Sequence, residues 1–79
     1  MKTMDSKYIV VIRAHLCPVT WVEDAWADSD GERQFLLTRL QERLAHRYDS
    51  QEEAQKDAVL IFEANKQYGL STSVQAVRS

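Results

Sequence analysis

The sequence predicts an α+β fold, an antiparallel sheet of three or four strands with one long helix, residues 50–68, packed on one face. Three observations carry that reading. Residues 50–69 combine a helix start signal, a periodic apolar stripe and a glycine stop. Residues 8–12, Tyr-Ile-Val-Val-Ile, are a largely β-branched run too short for a typical helix. Residues 71–78 set Val74, Ala76 and Val77 among polar neighbours, the pattern of a last, edge strand.

The helix is the best specified element. Ser50 and Glu53 form a capping box, in which the hydroxyl accepts from the N–H three residues on and the glutamate reaches back. Asp49, Glu52 and Glu53 stand where the helix dipole favours negative charge. Gly69 takes the left-handed conformation that stops a helix. Between them Ala54, Ala58, Ile61, Phe62, Asn65 and Tyr68 recur at helical spacing and are expected on the buried face. Such a rod is on the order of 27 Å long, and its stripe needs a sheet to cover it.

The first strand is predicted over residues 7–16. Alternation turns Tyr8, Val10, Ile12, Ala14 and Leu16 toward the helix. Ile9, Val11, Arg13, His15 and Cys17 fall on a second face that becomes polar toward its end, as in a sheet partly open to water. Pro18 ends this strand or marks an edge. Residues 19–22 suit a short strand. Asp28-Ser29-Asp30-Gly31 is a turn signal, because Asp and Ser bond to nearby backbone and Gly accepts positive φ.

Residues 33–48 admit two readings. Leu36, Leu40 and Leu44 are spaced by four, which fits a helix antiparallel to the next one. In the other reading residues 34–38 pair with the first strand, residues 39–44 turn, and residues 45–48 return as a short strand. The second is preferred, because a long helix needs a sheet to lie on and a single hairpin is only marginally stable.

A chain of 79 residues makes one domain, 1–79, with a small core. It leaves no room for a substrate domain beside a cofactor domain, so a non-enzymatic binding protein without cofactor or metal is expected. Apolar and charged fractions of 44% and 28% are those of a folded domain rather than a disordered chain. A net charge of −2 does not make nucleic acid the default partner. Cys17 is alone, so no internal disulfide is expected. Residues 1–7 are polar and the apolar run after them is too short to span a membrane, which predicts a cytoplasmic protein.

Reactive constellations are sparse. His15 and Cys17 share a predicted strand face, where an imidazole can activate a thiol, but no third group orients the pair. With His46 they offer too few ligands, wrongly spaced, for zinc. Asp28-x-Asp30-Gly31 matches the middle of a calcium loop, yet its first and twelfth positions would be Trp26 and Leu37. Glu23 and Asp28 show no sign of a sugar cleft, and no glycine-rich loop exists to cradle phosphate.

Charge segregation is the remaining signal. Residues 23–32 carry five acidic side chains and no basic one, whereas residues 33–47 carry Arg33, Arg39, Arg43 and Arg47 against one glutamate. The two runs either neutralise each other inside the domain or face partners. Trp26 lies in the acidic run without a periodic apolar face and is expected to be exposed, as an interface anchor. Trp21, in the short strand, is expected in the core.

Thr38-Arg39-Leu40, then Ala45-His46-Arg47-Tyr48-Asp49-Ser50-Gln51-Glu52-Glu53-Ala54, then a striped helix and a short final strand, resembles a pattern found in small bacteriophage and prophage proteins. The resemblance covers most of the chain through structural motifs. Phage-encoded inhibitors of bacterial defence, anti-CRISPR proteins among them, are similar in size, acidity and sheet-plus-helix construction. It implies a small inhibitor in the cytoplasm of a bacterial host, binding a host protein or nucleoprotein complex. The expected contact is an acidic, Trp-bearing loop with Trp26, Glu23, Asp24, Asp28 and Asp30. Carboxylates would compete there for a basic groove that normally holds nucleic acid. Two alternatives stand beside it. One is a nucleic-acid-contacting module using Arg33, Arg39, Arg43 and Arg47, with Tyr48 for stacking. The other is a structural or regulatory subunit, dimeric through an edge strand.

Overall fold

The computed structural model describes residues 6–78. Its elements are β1 (Ser6–Arg13), β2 (Thr20–Ala27), β3 (Arg33–Thr38), a 3-10 turn (Glu42–Leu44), α1 (Gln51–Asn65), a second 3-10 turn (Lys66–Tyr68) and β4 (Ser71–Arg78). The four strands form one antiparallel sheet in the order β3-β2-β1-β4, with α1 packed against β1 and β4. The predicted α+β architecture is therefore present, with β4 as an edge strand.

Local chemistry sets the helix limits. Ser50 is extended, and its Oγ accepts from the Glu53 N–H at 3.1 Å. After Asn65 the coil tightens into a 3-10 turn, which Gly69 ends at φ 72° with its N–H donating to the Lys66 carbonyl. Only part of the expected stripe is buried. Ala54, Ala58 and Ile61 face the sheet with Asp57, whereas Phe62 is 37% and Tyr68 70% exposed and Asn65 is half-buried. Taking Ala54, Ala58 and Ile61 as the sheet-facing line, Phe62 lies roughly 80° round the helix from Ala54, on its flank.

The first strand stops at Arg13, short of the predicted 16. Residues 14–17 turn instead, with the Cys17 N–H donating to the Ala14 carbonyl and Leu16 at φ 61°, 91% exposed rather than facing the helix. The centre of β1 is buried on both faces. Val10 and Ile12 join Val22, Tyr48, Ala54, Ala58 and Ile61 under the helix. Ile9 and Val11 pack with Ala45, Val19, Trp21 and Val77 on the opposite face. That second face was expected to be partly open. Its apolar part is instead covered by residues around Ala45, while Arg13, His15 and Cys17 remain exposed.

Strand pairing departs from the expectation in two ways. Residues 34–38 pair with β2, not β1, because the Asp28 turn closes a tight hairpin between β2 and β3. The predicted strand 45–48 shrinks to a single bridge between Tyr48 and Tyr8. Its position is informative. β1 and β2 pair only at Val11 with Trp21 and Ile12 with Thr20. Beyond that the strands part, and residues 46–48 fill the gap. The His46 N–H donates to the Val22 carbonyl at 2.7 Å, while Tyr48 and Tyr8 exchange backbone hydrogen bonds at 2.8 and 3.0 Å. A bulge between Val22 and Asp24 bends β2 at this point.

Candidate partner-binding surface

The acidic segment is a strand and a turn rather than a loop. β2 runs through Glu23, Asp24 and Trp26 to Ala27, and the turn after it carries Asp28, Ser29, Asp30 and Gly31. Asp28 holds the turn together. Its N–H donates to the Glu32 carbonyl, one carboxylate oxygen accepts from the Asp30 and Glu32 N–H groups, and the other accepts from the Gln34 amide at 2.9 Å. The Glu32 N–H and then the Gln34 amide hold its carboxyl below the usual carboxylate range. Gly31, at φ 85°, supplies the left-handed position that completes the turn. Asp28 thus engages both carboxylate oxygens inside the hairpin.

Cross-strand partners share a face, so register shows where the other side chains point. Val22, Ala25 and Phe35 belong to the core beneath the helix. Asp24 opposes Leu36 and Trp26 opposes Gln34 on the other face, and both large apolar side chains stand out from it. Trp26 is 45% and Leu36 49% exposed. They are diagonal neighbours across two paired strands, within reach of each other for side chains of this length. Asp24 is exposed beside them, one oxygen accepting from the Ala25 N–H. Glu23 sits half-buried at the bulge, and Asp30 and Glu32 are exposed at the tip. Trp21, by contrast, packs toward Ile9, Val11 and Ala45. The result is an apolar pair rimmed by carboxylates on the uncovered face of the hairpin.

The four arginines have different environments. Arg33 reaches the helix from the start of β3, and its Nε and a terminal nitrogen donate to the two oxygens of Asp57 at 3.2 and 2.8 Å while its side chain stays 37% exposed. Arg47 is half-buried and donates to the carbonyls of Glu42 and Ala45. Arg43 donates to the side chain of Gln41, and Arg39 is exposed beyond the end of β3. Among the described residues no ion pair joins these arginines to the acids of 23–32. Tyr48, considered above for stacking, is 4% exposed and its hydroxyl donates to Asp57.

The buried Tyr48 and Asp57 form, with the partly exposed Arg33, a polar network that sequence reasoning missed. Asp57 accepts from both partners, and the His46 ring meets Tyr48 edge-on at 4.5 Å. Burial, and then the bond to Asp57, push the Tyr48 pKa up. The Asp57 bond raises that of Arg33. The tyrosine stays neutral and the acid is already engaged, so the arrangement ties the helix, the start of β3 and residues 46–48 together. An aspartate three residues after Ala54 and four before Ile61 was the available sign, being on the apolar side of the helix.

His15 and Cys17 lie exposed in the turn after β1, not on a common strand face. Among the described residues, no group of three His, Cys, Asp or Glu side chains is placed to hold a metal ion. No described helix is long and apolar enough to cross a membrane. No family model, curated protein or solved structure matches this chain.

Proposed function

We propose that the protein is a non-enzymatic binding module that engages another macromolecule through the outer face of the β2–β3 hairpin. The observation that supports this is the pairing of Trp26 with Leu36 on an uncovered face whose rim is acidic. Large apolar side chains exposed together on a small domain mark contact surfaces, and tryptophan is prominent among residues that dominate binding energy. Asp24, Asp30 and Glu32 favour a partner with a basic surface around an apolar recess. A nucleic-acid-binding groove of a bacterial host complex has that chemistry, and occupying it would block its ligand. The narrower reading, a phage-encoded inhibitor of the anti-CRISPR kind, draws on the sequence resemblance together with this surface.

The test compares two charge reversals after affinity capture of partners from bacterial lysate. Asp24→Lys with Asp30→Lys should weaken the captured complex mainly by slowing association at low salt, while Arg39→Glu with Arg43→Glu should change it little. The opposite ranking, with nucleic acid co-purifying and lost steeply as salt rises, would replace this reading with a basic nucleic-acid interface.

A further inference from the structure

We infer that the partner adds an extended strand to the open edge of β3, bonding to the backbone of Arg33, Phe35 and Leu37. The inference rests on the reading of the Trp26 face as a contact surface and states what kind of segment meets it. β3 is an outer strand of the sheet, and no described strand lies beyond it. Two hydrogen bonds fix which of its groups face outward. At the tip the Asp28 N–H donates to the Glu32 carbonyl, so by alternation residues 34 and 36 turn toward β2 and residues 33, 35 and 37 turn away. At the other end the Val22 carbonyl accepts from His46 rather than from β3, so its cross-strand partner Leu37 likewise points to the open edge.

Side chains single out the edge, rather than either face alone, as the place of contact. Leu36 and Leu37 are neighbours in the strand and stand on opposite faces, yet they are 49% and 47% exposed. Leu36 shares the outer face with Trp26. Leu37 lies on the helix side with its partner Val22 and with Phe35. A partner laid flat on the outer face covers Trp26 and Leu36 and leaves Leu37 bare. A strand added at the edge reaches both faces, because its own side chains alternate.

The helix side has room for those side chains. A groove of 540 Å³ lies between β3 and α1, with Phe35, Leu60 and Ile61 in its walls. Leu37 borders a second recess with Ile12 and Leu70. Charge sets the composition of the occupant. Asp30 and Glu32 are exposed at the hairpin tip and Arg39 is exposed at the opposite end, and among the described residues none of the three is in an ion pair. Arg33, the one charged residue of β3, is held by Asp57. Folded domains guard edges with lysine or proline, and β3 carries neither. The segment that fits is apolar on both faces at its centre and basic at the end beside Asp30 and Glu32.

Two blocked synthetic peptides test this on the full chain: Lys-Lys-Thr-Val-Ile-Val-Thr and its reverse, which bring the lysines to the tip in the parallel and antiparallel directions. Amide exchange followed by heteronuclear NMR should show one of them slowing the Arg33, Phe35 and Leu37 amides about tenfold or more, with Gln34 and Leu36, already turned to β2, little changed. Replacing both lysines by glutamate should weaken binding about tenfold. Leu37→Lys should weaken it to a similar degree, with far-ultraviolet circular dichroism to check the fold, and Leu37→Ala carries the test if the lysine disturbs it. A partner on the outer face alone does not sense that position, so the two readings separate here. Binding lost in Trp26→Ala but indifferent to Leu37→Lys, with the three amides unprotected, overturns the added strand and leaves the outer-face contact standing. No protection of these amides by either peptide at about millimolar concentration overturns it as well, while the charge reversals above judge the outer face by itself. So does protection that rises with protein concentration in the absence of peptide, which would assign the edge to a second copy.

Discussion

The Tyr48 hydroxyl donates to Asp57 at 2.6 Å, and both residues are 4% exposed. Nine residues apart, they join the segment wedged between β1 and β2 to the underside of the helix. Arg33 closes the network from the start of β3. Asp57→Ala should cost about 2–3 kcal/mol, since it strands a buried hydroxyl while the Arg33 end is partly screened by solvent. Tyr48→Phe leaves the ion pair in place and should cost about 1 kcal/mol. Urea melts of the two variants would show the ranking.

The same tyrosine sets an alkaline limit. Its pKa is raised above the ordinary value of 10.0 by burial and then by Asp57. Stability from the neutral phenol is full below about pH 10 and is lost as pH climbs through the raised value. The deficit of Tyr48→Phe relative to wild type should therefore shrink above pH 10, followed by denaturant midpoints at stepped pH.

Asp28 works in the opposite direction. Its lowered carboxyl stabilises the hairpin turn above the ordinary value of 3.8, and that contribution disappears as pH falls through the lowered value. Asp28→Asn should be less stable than wild type near neutrality, and the gap should close in acid. Hydrogen exchange at the Asp30 and Glu32 amides would report the turn directly.

The two tryptophans separate packing from recognition. Trp26→Ala should leave the thermal midpoint nearly unchanged and cost roughly 2 kcal/mol or more in partner binding. Trp21→Ala opens the core around Ile9 and Val11 and should cost about 3 kcal/mol in stability. Acrylamide quenching of single-tryptophan variants should show Trp26 the more accessible.

The helix offers an internal control. Ile61→Ala should cost roughly 2–5 kcal/mol, by loss of a buried side chain, against about 1 kcal/mol for Ser50→Ala, which removes only the cap bond. Equal effects in a denaturant melt would contradict the packing of α1.

What could be read from the chain alone rests on short-range chemistry. Ser50 and Gly69 bound the helix because cap and stop act within a turn of backbone. Asp28 to Gly31 makes the hairpin turn by bonds no longer than four residues. The apolar run of β1 and the edge character of β4 follow from side-chain pattern. Even the exposure of Trp26 was legible, because its near neighbours offer no periodic apolar face.

Tertiary structure decided what depends on residues far apart in the chain. Residues 34–38 were expected beside the first strand, and the closure of the hairpin placed them on β2 instead. Ile9 and Val11 are buried because Ala45 returns over them, which no window around β1 contains. The spacing sets Asp57 on the apolar side of the helix, but its partners, Arg33 24 residues away and Tyr48, are fixed only by the fold. The acidic and basic runs, adjacent in sequence, do not neutralise each other, since Arg33 pairs with Asp57 of the helix while Trp26 and Leu36 face outward. Side-chain direction alternates along a strand, and one bulge resets it, so only the observed register places Leu36 on the same face as Trp26.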